Sequence, residues 1–238
     1  RAVNVAHGTK ISSWTAKEGN STATESDAQK RPTFTATGFN GRPAVNFITD
    51  AGASDKNDVL QWTNGQNATP LIVSDAPANT IISVTVTAND EGNAMIFEMG
   101  ADVYAAEALA QYYNVNNKFI NAMGATGGGS QDRDEATVAD ACPNIHNVGI
   151  TVCDRALAYT LSTYINGEPA AVDGQDEGGS HGANTAWSTL VPYLGARADG
   201  AGLSLNGYMR EFIVLKRALT IGEACRIGKA LMNKSGIT

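Results

Sequence analysis

The chain has 238 residues and a formal net charge of -7 with only 17 Lys and Arg. That balance excludes a nucleic-acid surface, because phosphate binding needs clustered positive charge. At 42% hydrophobic the chain can bury a core without a metal or disulfide staple, and no run approaches the roughly 20 apolar residues of a membrane span. Its 25 glycines and 17% charged residues exclude a coiled coil and read as a turn-rich β protein. The chain starts at Arg1 with no signal-peptide pattern, which points to a processed product or a piece of something larger. Cys142, Cys153 and Cys225 are an odd set, and all three are expected to be reduced.

Short β-patterned runs recur between Gly, Asn, Asp and Pro clusters, as in a sandwich or barrel. Strands are predicted over Lys10 to Trp14 and Arg31 to Phe34. Asn40-Gly41 supplies the positive φ angles of a tight hairpin turn. Pro43 to Ile48 then sends Ala44, Asn46 and Ile48 one way and Val45 and Phe47 the other. Asp58 to Trp62, the strongly β-branched Thr80 to Ala88, and Ala94 to Met99 follow. Ala101 to Val115 has helical propensity, but the Asn116-Asn117 turn and the Lys118 to Met123 run favour a hairpin. Gly124 to Asp140 reads as a long polar loop. His146 to Cys153 and Ala156 to Ile165 pair as strands, Asn166-Gly167 turns, and Ala170 to Val172 continues. A second polar loop, Val172 to Ala186, precedes strands at Val191 to Gly195 and Tyr208 to Leu215. The one predicted helix starts at the N-cap Thr220 with Glu223 completing a capping box. Ala224, Ile227, Gly228 and Leu231 form its inner stripe, the small Gly228 implying close packing against a strand, and Gly236 ends it.

Several of these pieces form a familiar series. It runs through Asn40-Gly41-Arg42-Pro43-Ala44-Val45-Asn46-Phe47, Asp58-Val59-Leu60, the Thr80 to Val86 strand and Tyr164-Ile165-Asn166-Gly167-Glu168, after an Ile11-Ser12-Ser13-Trp14 lead-in that departs from the usual one. It closes on Leu194-Gly195, Gly207 to Thr220 with Glu223, and Lys234-Ser235-Gly236-Ile237. The series resembles the LamG-like jelly roll of the concanavalin A-like lectin/glucanase superfamily, over nearly the whole chain. The resemblance implies one all-β domain over 1–238, a two-sheet antiparallel jelly-roll sandwich with a short C-terminal α-helix. Its opening strand is not found before Arg1, which implies a cut from a longer protein or an edge completed by another segment. Domains of this kind serve as carbohydrate-binding modules, in secreted multidomain proteins, and in phage tail fibres and decoration proteins; fold does not choose among these.

Glycosidases of this fold carry alternating acids on one strand, because one carboxylate attacks the anomeric carbon while a second protonates the leaving oxygen. Here Glu98 and Glu211 each stand alone in a strand, and Asp132-Arg133-Asp134-Glu135 sits in a Gly-rich loop. His7, His146 and His181 have no partner at ligand spacing; a lyase would instead have to assemble Tyr112, His146, Tyr164 and Arg210 from separate strands. Calcium wants several oxygen ligands. Asp50, Asp55, Asn57 and Asp58 supply three carboxylates and an amide within nine residues, and Asp173, Asp176 and Glu177 form a second acidic group. Sugar recognition needs exposed aromatics beside short polar groups; Trp187 and Tyr193 with Asn184 are the leading candidates, Tyr112 and Tyr113 the next, while Trp14 and Trp62 belong in the core.

The sequence therefore predicts a non-catalytic binding module at a cell exterior or virion surface. Its partners would be a glycan or receptor or neighbouring virion subunits, including copies of itself, with calcium as the cofactor. A structural virion component is the first alternative and a polysaccharide-active hydrolase or lyase the second. Alternation also places Glu211 on one face with Met209, Ile213 and Leu215, opposite Tyr208, Phe212 and Val214, buried and held by a basic residue such as Arg217 or by backbone N–H groups.

Overall fold

The computed structural model describes residues 5–17, 21–48, 57–62, 78–88, 94–99, 109–114, 118–124, 133–138, 144–154, 160–170, 191–197 and 203–238. Among these residues the strands are β1 (Ser13–Thr15), β2 (Thr22–Thr24), β3 (Thr33–Phe39), β4 (Arg42–Phe47), β5 (Leu60–Trp62), β6 (Ala78–Thr87), β7 (Ala94–Met99), β8 (Leu109–Tyr113) and β9 (Phe119–Gly124). They continue with β10 (Arg133–Val138), β11 (Asn147–Asp154), β12 (Thr160–Ile165), β13 (Glu168–Pro169), β14 (Pro192–Leu194) and β15 (Gly207–Leu215), before the helix α1 (Ile221–Ser235). An eight-stranded sheet runs β1-β2-β5-β14-β7-β8-β9-β10 and a seven-stranded sheet runs β13-β12-β11-β6-β15-β4-β3. Every strand pair is antiparallel, and the non-sequential neighbours are the crossovers of a jelly roll.

Three layers result: eight-stranded sheet, seven-stranded sheet, helix. Between the sheets pack Val45, Phe47, Leu60, Trp62, Ile81, Phe97, Tyr113, Phe119, Leu194 and Met209, with Trp14 against them. The far side of the seven-stranded sheet presents Ile82, Val84, Val86, Val148, Ile150 and Val152 to Ala224 and Leu231 of α1. That second cover explains why β6 is buried at all ten positions and reads as a nearly continuous apolar and β-branched run.

The hairpin turns form as their residues require, with φ of 48° at Asn40, 70° at Gly41, 52° at Asn166 and 78° at Gly167. The alternation in β4 also holds, Val45 and Phe47 facing one core and Ala44 the other. Of the Ala101 to Val115 segment, Leu109–Tyr113 is a strand paired with β9 as the hairpin reading expects, Tyr113 lying opposite Phe119, while Ala101 to Ala108 lie outside the described residues. The helix has its full capping box, and Gly236 closes it in the left-handed conformation. Gly228 packs against a turn rather than a strand: a Cβ there would lie 2.7 Å from the Cα and N of Gly167.

Three expectations are corrected. Gly124 to Asp140 is not all loop, since Arg133 to Val138 pairs residue by residue with Gly124 to Phe119. The segment after the Asn166-Gly167 turn pairs at Glu168 and Pro169, earlier than Ala170. The faces of β15 exchange at a bulge between Met209 and Glu211, where Arg210 is the extra residue. Met209 therefore turns inward with Phe212 and Val214, while Tyr208 joins Ile213 and Leu215 under the helix.

Candidate sugar-binding face

The outer face of the eight-stranded sheet can be followed in register. Ser13 lies opposite Thr24, Thr24 opposite Gln61, Gln61 opposite Tyr193, Tyr193 opposite Glu98 and Glu98 opposite Ala110. Directly paired residues share a face, so these six form one row across the sheet, away from the sandwich core. Alternation adds Thr15 and Thr22 to the same face, where the Thr22 hydroxyl donates to Thr15 Oγ1 at 3.3 Å.

The row has two halves. From Glu98 onward it is buried: Glu98 is 0% exposed, and Met95, Ala110, Tyr112 and Ile120 form a cluster with Leu203 against it. From β1 to β14 it is open, with Ser13 and Thr15 exposed and Thr22, Thr24, Gln61 and Tyr193 half-buried. At the boundary the Arg197 guanidinium reaches Glu98, Nε to Oε1 being 3.4 Å. The open half is a floor of hydroxyls and one amide, each able to donate and accept, with a phenol ring at its inner end.

Tyr193 is the predicted sugar contact that this face carries. Tyr112 shares the face but is 2% exposed and packed, which corrects its assignment as a ligand platform: a buried ring has no free surface to stack on a sugar. Tyr113 points into the core, its hydroxyl 2.9 Å from Thr85 Oγ1. Trp187 and Asn184 lie outside the described residues, as do Asp50, Asp55 and the second acidic group. Asn57 and Asp58 are buried beside β5. Asp58 Oδ1 accepts from Lys10 Nζ at 2.9 Å and Oδ2 from the Ile48 amide at 3.0 Å, so this carboxylate joins the N-terminal segment to the end of β4. An ammonium and an amide at its two oxygens serve a structural carboxylate better than a calcium ligand.

Among the described residues, Glu98 and Glu211 do not pair as the two acids of a glycosidase. Glu98 faces outward on one sheet and Glu211, opposite Val84, faces outward on the other. In register the backbone of Glu135 lies three strands from that of Glu98, about 14 Å away. The lyase set is likewise divided, since Tyr112 belongs to the eight-stranded sheet while Tyr164 and Arg210 belong to the other. Glu211 is held by Lys234 Nζ at 2.6 Å and lies 3.8 Å from Arg210 Nε; Arg217, its expected partner, binds Glu223 instead.

Among the described residues a cavity of about 150 Å³ lies at the other side of the sandwich between Gly38, Val86, Asn144, His146, Gly207 and Tyr208. It is smaller than the roughly 300 Å³ where ligand pockets begin. His146 stands edge-on to Phe39 at 4.5 Å, and burial pushes its imidazole below the usual histidine range. Sequence reasoning missed the row around Gln61 and Tyr193. Its members come from β1, β2, β5, β14, β7 and β8, and the pairing of distant strands such as β5 with β14 brings them together.

No family model matches the chain, and no curated protein matches it. Solved structures do. One is the CBM40 of Ruminococcus gnavus IT-sialidase, with 14% identity, 65% of this chain and 84% of that chain covered, and a TM-score of 0.51. The same module bound to alpha2,3 sialyllactose gives 13%, 66%, 84% and 0.52. Trypanosoma rangeli sialidase in complex with 2,3-difluorosialic acid gives 13% identity over 94% of this chain but 32% of that chain, with a TM-score of 0.56. At these identities the likeness is one of fold. The chain is a two-sheet antiparallel jelly-roll sandwich.

Proposed function

We propose that this chain is a non-catalytic glycan-binding module of LamG-like type, acting outside a cell or on a particle surface. The observation that carries the reading is the open row Ser13, Thr24, Gln61 and Tyr193 on one rigid sheet face. A sugar presents hydroxyls at its rim and C–H groups on its flat side. Strand-borne hydroxyls and an amide match the first, and a half-buried tyrosine matches the second at low entropic cost. The same fold in a module crystallised with alpha2,3 sialyllactose supports the reading. Trp187 and Asn184 remain the sequence candidates for further contacts.

The test is titration against an oligosaccharide panel with wild type and Tyr193→Ala. Loss of the anchor ring is expected to weaken binding by about ten-fold or more while the fold survives. Unchanged affinity in Tyr193→Ala would move the site elsewhere. A reducing-end assay on β-glucans, alginate and agar is expected to show no turnover; turnover abolished by Glu98→Gln or Glu211→Gln would replace this reading with the hydrolase.

A further inference from the structure

The open face is lined by Ser13, Thr15, Thr22, Thr24, Gln61 and Tyr193, all uncharged at neutral pH. The guanidinium that meets the inner end of this row is Arg197, and its Nε lies 3.4 Å from Glu98 Oε1. Glu98 is 0% exposed and is the register partner of Tyr193, so the two side chains leave the same face of the sheet on neighbouring strands. Among the described residues of this face, the cation is thus matched by an anion that cannot swing away.

We infer that the site selects uncharged glycans and discriminates against acidic ones such as sialylated sugars, although the similar CBM40 was crystallised with sialyllactose. The inference rests on the glycan-binding reading above. Among the described residues Arg197 is the cation at this end of the row, and a sugar carboxylate that engaged it would share it with Glu98, placing two anions on one guanidinium. Like charges brought together where water is partly excluded are strongly unfavourable, whereas a neutral hexose adds hydroxyl contacts and leaves the ion pair intact.

The experiment compares wild-type binding of neutral oligosaccharides, lactose among them, with 3′- and 6′-sialyllactose. It is run at about 50 and 500 mM salt, which differ several-fold in screening length. The expected result is binding of neutral glycans, little changed by salt, with the sialylated forms at least about ten-fold weaker. Sialyllactose bound as well as or better than lactose, with affinity falling as salt rises, would overturn the selectivity and leave the glycan reading standing. Binding of no saccharide of either kind would overturn the glycan reading itself. Glu98→Gln supplies a second measurement: with the anion removed, Arg197 is expected to raise affinity for sialyllactose relative to lactose. A ratio unchanged in a folded Glu98→Gln protein would also overturn the selectivity.

Discussion

Glu223 shows how much one side chain can do at a helix start. Arg217 donates to both of its oxygens at 2.9 and 3.0 Å, and the Thr220 amide donates to Oε2 at 2.9 Å. The Arg217 hydrogen bonds first, and the Thr220 amide second, hold this carboxyl down at about 2, against an ordinary value of 4.5. A carboxyl depressed in the folded state binds fewer protons there than in the unfolded chain. Its stabilisation is complete above pH 4.5 and is lost as pH falls toward about 2. Because the pair lies at the surface, salt screens it and its share of the total is small. Glu223→Gln is expected to flatten the acid limb of melting temperature against pH within that window, a difference readable by circular dichroism. An unchanged acid limb would show that the capping box does not couple to proton binding.

At the scale of elements, the two sheets are joined by a buried polar chain as well as by apolar packing. Gln111 Nε2 donates to Thr151 Oγ1 at 2.5 Å, Thr151 donates to Asn121 Oδ1, and Asn121 Nδ2 donates to Thr163 Oγ1 at 2.7 Å. All of these groups are in the core, between β8 and β9 on one side and β11 and β12 on the other. Thr151→Val keeps the shape and removes the central hydroxyl, leaving a buried amide donor and a buried acceptor short of a partner. That is expected to cost about 1–3 kcal/mol in denaturant unfolding, more than a surface Thr→Val change. Wild-type stability would mean that the chain is not needed to hold the sheets together. Nothing in the sequence marked this link. Gln111 and Asn121 read as ordinary polar positions of a hairpin, and alternation cannot say that both point inward. What local pattern could reveal were the Asn-Gly turns, the β6 run and the capping box, each set by neighbours a few residues apart. The bulge at Arg210 was hidden for the same reason as the candidate sugar face, since it depends on pairing with the distant β6; β10 instead pairs with its chain neighbour β9, and its Gly-rich, polar setting is what made it read as loop.

For the whole molecule, the three-layer order puts the candidate sugar face and the helix on opposite sides of the sandwich. The helix is tied to the seven-stranded sheet at three places. Lys229 pairs with Glu168 at 2.8 Å, Lys234 with Glu211 at 2.6 Å, and Asn40 Nδ2 donates to the Gly236 carbonyl at 3.0 Å. Between these ties Gly228 lies directly on the Asn166-Gly167 turn. Gly228→Ala would gain about 0.8–1 kcal/mol of helix propensity. It would also drive a methyl to 2.7 Å from backbone atoms that cannot rotate aside. Overpacking of that kind costs about 1–3 kcal/mol, so destabilisation wins. The melting temperature is expected to fall by a few degrees, at about 2–4 °C per kcal/mol for a chain of this size. Tyr193→Ala, on the half-open far face, is expected to weaken sugar binding with a much smaller change in melting. The two sites share no contact across the sandwich, so their effects on stability should add in the double variant to within about 0.5 kcal/mol, with the sugar affinity of Tyr193→Ala unaltered by the helix change. If Gly228→Ala changed sugar affinity at a temperature where the protein is fully folded, the layers would have to be coupled, and the helix would be part of the binding apparatus rather than a cover for one sheet.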